Sequence, residues 1–333
     1  MLISKFKDVA TESTSLWNSV LATANSSLKN VADSEINVIF VFWKSAKMLN
    51  SMKYFIVILL LLAVSPLYSQ FSGGDGSPEN PFLISSLKDL KEMADSTNTI
   101  IPDPEGGVKP CKFCSMHYKL TRNIRDSVRF CIAHRYQQHG YIFDGVFDGQ
   151  GYKITLAIAD NASNKYFALF SIIGKNAIIK NLVVDGYVKT TGQYDWASGI
   201  VSWSQSESAQ IINCVNLARI ESWGTSGIAG RHHGLSEGNI NLGTIIGRGL
   251  TGGVIGGQQW PYSPKTINCL NSGFVRSTRT FVDLYTLRSG ASGIVGAVSW
   301  IDSGIISNSL NVGVIETLDK RLFRKGIAAI DDH

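Results

Sequence analysis

The first 72 residues of this 333-residue chain contain no glycine, yet the remainder carries all 32. Two kinds of sequence are joined near Gly73. Strong charge is also lacking. The formal net charge is +5 over the chain, and from Gln70 onward 25 Lys and Arg face 22 Asp and Glu. Nucleic-acid binding needs a concentrated basic face, so a balance this even excludes nucleic acid as the expected partner. Arg321, Arg324 and Lys325 form a small basic cluster that reads as a solvated edge. No apolar run reaches a membrane span. The longest, Tyr54–Val64, has 11 residues where a spanning helix needs about 20.

Residues 52–69 run from a Met-Lys start through that apolar stretch to Pro66-Leu67-Tyr68-Ser69. A basic start, an apolar middle and a small-residue end are the parts of a signal peptide, with cleavage expected after Ser69. Translation is expected to begin at Met52, with residues 1–51 as an upstream extension. The alternative is a cytoplasmic helical tail on a membrane-anchored protein. No cysteine stands at the cleavage point, so a lipid anchor there is not expected. The mature chain is then exported, secreted or held at a bacterial cell surface, and meets the membrane only through the leader.

Residues 70–115 read as an N-terminal cap. Gly73-Gly74-Asp75-Gly76 forms turns, Pro81–Ile84 a short strand, and Ser86 N-caps a helix through Asp95 with Leu87, Leu90, Met93 and Ala94 on one face. Such a helix covers the open edge of a stack of strands.

From residue 116 a two-part motif recurs. Its first part is small-Gly-apolar-apolar, at Ser198–Val201, Ser226–Ala229, Gly252–Ile255 and Ser292–Val295. Its second part is an Asn-containing strand. Aligned, this part places Leu182, Cys214, Asn239, Cys269 and Ser309 in one column. Val184, Asn216, Asn241, Asn271 and Asn311 form the next, then Gly186, Ala218, Gly243, Gly273 and Gly313, then Val188, Ile220, Ile245, Val275 and Ile315. Alternate strand residues share a face, and the apolar ends of the series turn that face inward. A buried amide must find partners. Asn216, Asn241, Asn271 and Asn311 are therefore expected to bond to one another along the stack as a structural ladder, and to tolerate a left-handed turn. The motif glycines are spaced 28, 26 and 40 residues apart, while each lies 14–18 residues before its ladder asparagine. Insertions therefore fall on one side of the coil, the longest at Arg276–Gly290. The expected fold is all-β, a right-handed parallel β-helix with a short helical cap. Gly326-Ile327-Ala328 reads as a further rung, so a truncated C-terminus is expected.

The repeat resembles the GLUG-motif family of bacterial secreted and surface proteins. Gly293-Ile294-Val295-Gly296 and Gly253-Val254-Ile255-Gly256 match best, Gly227-Ile228-Ala229-Gly230 also fits, and Gly199-Ile200-Val201-Ser202 departs at its last position. The likeness covers roughly residues 72–330. It implies a parallel β-helix with an adhesin-like role and fixes no ligand. Such repeats also occur beside metallopeptidase domains, but the chain has no His-Glu-x-x-His, so that activity does not carry over.

Cys111-x2-Cys114-x2-His117 and Cys131-x2-His134 have the spacing of metal ligands. Export favours instead a disulfide among Cys111, Cys114 and Cys131, and one using Cys131 would staple the cap to the first rungs. Cys214 and Cys269 are expected as buried free thiols, about 9.6 Å apart across the rung of Asn239. No metal or cofactor is expected. Asp144 and Asp148 read as turn residues, and His232 and His233 as a rung turn. Asp185, Asp195, Glu207, Glu221, Glu237 and Asp302 fall at non-equivalent positions, unlike the paired carboxylates of glycoside cleavage. Trp203, Trp260 and Trp300 are the candidate binding residues. Trp260 and Trp300 both follow their motif glycine by seven positions, and stacked rings suit a glycan or a protein surface. The reading is a non-catalytic, adhesin-like interaction protein. Its alternative is a carbohydrate-active β-helix enzyme.

Overall fold

A computed structural model describes residues 71–99, 111, 113–134, 142–161, 165–204, 206–259, 262–279, 290–299, 304–319 and 322–330. The leader, the upstream extension, Trp260 and Trp300 lie outside the described residues.

Each turn of the chain visits four sheets. One coil, for example, runs through strands Gln210–Ile212, Val215–Asn216 with Arg219–Ser222, Gly224–Ser226 and Ala229–Arg231, then returns at Leu235–Glu237 beside its start. The sheets hold eight, eleven, six and six strands in that visiting order, and every strand pair is parallel. The fold is a parallel β-helix, as the repeat predicts. The expected register holds at every ladder position: Val184 pairs with Asn216, Asn216 with Asn241, Asn241 with Asn271, and Asn271 with Asn311.

The cap helix, Leu87–Asn98, runs three residues beyond its expected end. The Ser86 side chain accepts from Asp89 N–H, while the Asp89 carboxylate accepts from Ser85 N–H at 2.9 Å and from the Ser86 hydroxyl. That reciprocal arrangement satisfies donors at the helix start. Leu90, Met93 and Ala94 are buried against the first rungs. The extra turn has a purpose visible in its contacts. Thr97 Oγ1 accepts from Ala133 N–H, and the Asn98 side chain donates to Cys131 O at 2.8 Å and accepts from His134 N–H at 2.7 Å.

Those hydrogen bonds, together with the parallel pairing of Phe82–Ile84 with His117–Leu120, join the cap to the stack. The disulfide is Cys111–Cys114, and Cys131 is a buried free thiol. The bridge is one of the pairings open among Cys111, Cys114 and Cys131, and it does not use Cys131. Cys131 sits under the helix end, where burial pushes its pKa up to about 11. Cys214 and Cys269 are free and buried, as expected. Burial also pushes the Cys214 thiol up to about 12. Since the thiolate is the nucleophile, Cys131, Cys214 and Cys269 are expected to resist iodoacetamide in the native chain at pH 8 and to react fully in guanidinium. Peptide mapping is expected to recover a 111–114 bridge and none at 214–269.

The interior changes character along the stack. Near the cap it is aromatic, with Tyr118, Phe143, Phe147 and Phe170 all buried and Phe143–Phe170 centroids 5.1 Å apart. Beyond Val184 the amides take over. Asn216 Nδ2 donates to Asn241 Oδ1 at 2.8 Å, Asn241 to Asn271 at 2.7 Å, and Asn271 to Asn311 at 2.6 Å. Spare donors and acceptors go to the backbone two residues on, as in Ala218 N–H to Asn216 Oδ1 and Gly243 N–H to Asn241 Oδ1.

The structure also explains the first half of the motif. The glycines Gly199, Gly227, Gly253 and Gly293 lie across the interior from the ladder. A Cβ on Gly199 would fall 2.5 Å from Asn216 Oδ1, and one on Gly253 would fall 2.6 Å from Asn271 Cγ. At Gly227 and Gly293 the approach to the facing amide is tighter still. Their backbone angles are ordinary, so space and not conformational freedom demands glycine here. The second glycine of the motif meets a different neighbour. A Cβ on Gly230 would lie 2.5 Å from Ser202 O, on Gly256 2.5 Å from Gly230 O, and on Gly296 2.5 Å from Gly256 O.

One detail of the ladder differs from expectation. The left-handed residues are not the ladder asparagines but Asn181, Asn213, Asn268 and Asn308, with φ of 53°, 53°, 56° and 48°, and Gly238 at 64°. Each precedes its ladder position by three residues and turns the corner between two sheets. Asn tolerates this region better than other side chains.

Candidate functional site

Lateral pairing collects aromatic side chains at one part of the stack. Trp196 is the register partner of Tyr166 on one side and of Gly224 on the other. Trp203 is the partner of Ile172 and Arg231. Tyr166 and Trp203 stack with centroids 4.8 Å apart and an interplanar angle of 28°. The Arg231 guanidinium carbon sits 4.6 Å from the Trp196 ring centroid. Trp223 meets Trp196 edge-on at 6.0 Å, and Tyr194 meets Trp223 at 5.2 Å. The result is a strip of Tyr166, Trp203, Arg231, Trp196, Trp223 and Tyr194 crossing successive rungs.

Small residues make the strip possible. A Cβ on Gly224 would press within 2.8 Å of the Trp196 ring, and one on Gly256 would come within 3.2 Å of it. Gly249 likewise clears the Trp223 ring, which a Cβ would approach to 2.8 Å. Trp196 is buried at 4% exposure, while Tyr194 is 51% exposed. Tyr166, Trp203, Trp223 and Arg231 are half-buried. The strip thus has a fixed floor and accessible edges. Trp203 Nε1 is buried without a hydrogen-bond partner.

Of the three tryptophans singled out in the sequence, only Trp203 falls among the described residues. Its companions Tyr166, Trp196 and Arg231 were not anticipated. Their distances along the chain are unequal, and only the strand register brings them together.

The remaining candidates separate from the strip or serve the scaffold. His232 and His233 do occupy the turn between Ala229–Arg231 and Leu235–Glu237, but His232 is fully buried with neither ring nitrogen hydrogen-bonded. His233 packs on Tyr262 with centroids 4.3 Å apart. Among the described residues no group of three or more His, Cys, Asp or Glu is placed to hold a metal ion. The Cys111–Cys114 bridge also uses two sulfurs of the zinc-like spacing.

The carboxylates are engaged between rungs. Asp144 accepts from Asn176 N–H at 2.8 Å and from its side-chain amide at 2.7 Å. Asp148 pairs with Lys180 at 3.4 Å, Asp185 with Lys153 at 2.8 Å, and Glu221 with Lys189 at 3.7 Å. Glu207 accepts from Ser263 N–H at 2.8 Å. Asp195 differs. It is fully buried, and burial pushes its carboxyl above the usual range. Its Oδ1 accepts from Lys165 N–H at 3.1 Å, and its Oδ2 has no hydrogen-bond partner. A shallow groove of about 440 Å³ lies at the sheet corner among Gln150, Asn181, Asn213 and Val215.

No protein-family model matches the chain. Over 130 residues, 37% of its length, the chain is 27% identical to a protein of Evansella cellulosilytica described as a Gly-rich membrane protein. That match spans only 13% of the Evansella protein. Among the described residues no helix is long and apolar enough to cross a membrane. A crystal structure from Bacteroides ovatus, named as an immunoglobulin A1 protease, superposes with a TM-score of 0.55. The superposition covers 78% of this chain and 87% of that one at 15% identity. A likeness at that identity concerns the fold.

Proposed function

We propose that this chain is a non-catalytic, exported surface or secreted protein of the GLUG-motif kind, an adhesin-like β-helix that holds a glycan or protein surface against its aromatic strip. The Tyr166–Trp203 stack beside Arg231 and Trp196 carries the reading. Flat, preorganised rings with polar edges suit sugar faces and protein surfaces, and they lose little entropy on binding. The leader-like segment at 52–69 and the likeness to a Gly-rich membrane protein support an exposed location. The engagement of Asp144, Asp148, Asp185 and Glu221 between rungs supports a scaffold over a cleavage site.

The second reading, a carbohydrate-active enzyme, draws on Asp195 alone. Burial raises the Asp195 pKa, which is the direction a general acid needs. Its lack of exposure and its bond to Lys165 N–H speak for a structural part instead. A glycan array probed with the full chain, alongside assays for new reducing ends and unsaturated products, separates the two. Binding without turnover, lost in Trp203→Ala, is expected. Turnover abolished by Asp195→Asn would establish the enzyme.

A further inference from the structure

Arg231 stands out because of what surrounds it. It is half-buried, and its guanidinium makes no hydrogen bond or ion pair with any described residue; its one contact of note is the Trp196 ring at 4.6 Å. Arg276, also half-buried, shows the ordinary arrangement. It donates from Nε and a terminal nitrogen to one oxygen of Glu316, at 2.9 and 2.6 Å. Among the described residues no carboxylate comes so near Arg231. Its neighbours are Trp203 on the adjoining strand, Trp196, Tyr166, and the two histidines that follow it in sequence. Burial pushes the guanidinium's pKa below its usual value, with Tyr166 acting in the opposite direction. A cation in such a place is unfavourable until an anion arrives.

We infer that the strip's ligand is an acidic sugar, whose carboxylate pairs with Arg231 while its ring lies along Trp203 and Tyr166. This inference rests on the binding function proposed above and names the ligand class for that same site. Guanidinium and carboxylate match as a two-pronged, charge-assisted pair, which a carboxylate completes without moving any acid of the protein. The flat flank supplies the apolar face a pyranose needs, and a cation–π contact with Trp196 fixes the guanidinium before binding. A carboxylated pyranose is the shared chemistry. Uronic acids of a polysaccharide and terminal nonulosonic acids of a host glycan are its two sources.

The test titrates the full chain with tetragalacturonate, its carboxyl-reduced tetragalactose counterpart, sialyllactose and lactose, following tryptophan fluorescence and heat. One acidic sugar is expected to bind at least tenfold tighter than its neutral counterpart, and the preferred acid identifies the source. Added salt is expected to weaken that binding. Arg231→Gln is expected to bring the affinity for the acidic sugar down to that for its neutral counterpart, and Arg231→Lys to restore only part of the difference. Equal affinity for acidic and neutral sugars would overturn the inference and leave the glycan-binding function standing. So would wild-type behaviour of a folded Arg231→Gln. No binding to any of the four at millimolar concentration would overturn both. Should Arg231→Gln fail to fold, the comparison of acidic with neutral sugars on the unaltered chain still decides.

Discussion

Asn241→Leu is expected to lower the unfolding free energy of the full chain by about 3–5 kcal/mol, read as a shift of the urea midpoint. The substitution conserves approximate size but deletes the middle of the ladder. Asn216 Nδ2 loses the acceptor it holds at 2.8 Å, and Asn271 Oδ1 loses the donor at 2.7 Å. Gly243 N–H loses its side-chain acceptor as well. All these groups are buried, and each buried polar group left alone costs roughly 1–3 kcal/mol. A branched side chain also meets the Gly227 backbone, where the amide already leaves no room for a Cβ. Against a typical domain stability of about 5–15 kcal/mol, such a loss is large.

Gly227→Ala tests the opposite wall of the same contact. Its new Cβ would overlap Asn241 Oδ1 and lie 2.6 Å from Gly253 O, so the backbone of the neighbouring rung must move. A cost of about 3 kcal/mol is expected. Combined with Asn241→Ala, the same change is expected to cost less, because the amide half of the clash is gone. A coupling of about 0.5–3 kcal/mol between the two positions would confirm the contact. Strict additivity would show that glycine and asparagine do not meet.

The second large effect is a loss of stability in acid. Burial pushes the His232 pKa down to about 4. Burial, with the nearby charges of His232 and Arg231, pushes His233 down to about 3. In the unfolded chain an imidazole titrates near 6.5. The folded values are the lower ones, so below about pH 6.5 the unfolded chain binds protons that the folded chain refuses. Stability is therefore fully present above that pH and falls as the pH drops toward 4. His232 alone accounts for about 3 kcal/mol across the window. His233 acts in the same direction. Asp195 acts in the opposite one: its raised carboxyl favours the folded state in acid, a contribution lost as pH rises through its folded value. Comparison with His232→Leu isolates the histidine. Urea midpoints at pH 7.5 and 4.5 are expected to differ strongly in the unaltered chain and much less in the variant. Equal slopes for the two proteins would refute the burial of His232 as a neutral ring.

The ladder was readable in the sequence because its signal is periodic and one-dimensional. Asn216, Asn241, Asn271 and Asn311 share an offset, and strand alternation places them inward without further knowledge. The role of the motif glycines was not readable. Gly227 and Asn241 are 14 residues apart and meet only because the coil closes, which no alignment of columns reports. The left-handed corner was misplaced by three residues, since two asparagine columns occupy one strand-and-turn segment and both suit that residue type. Of the pairings open among Cys111, Cys114 and Cys131, the chain uses the one nearest in sequence, Cys111–Cys114, and hydrogen bonds from Thr97 and Asn98 hold the Cys131 segment to the cap helix. Those bonds come from one helical turn that the apolar periodicity did not require. The strip was half legible. Trp203 is a candidate from the sequence alone, but its partners depend on register across unequal loops.

Exchange of the ladder's own amide protons tests the central claim most directly. The side-chain NH2 groups of Asn216, Asn241 and Asn271 in the full chain are expected to exchange with deuterium only through large-scale unfolding. Asn311, half-buried at the last ladder position, is expected to exchange faster. Exchange of Asn241 at the rate of an unstructured amide would contradict a buried asparagine ladder and the interior built upon it.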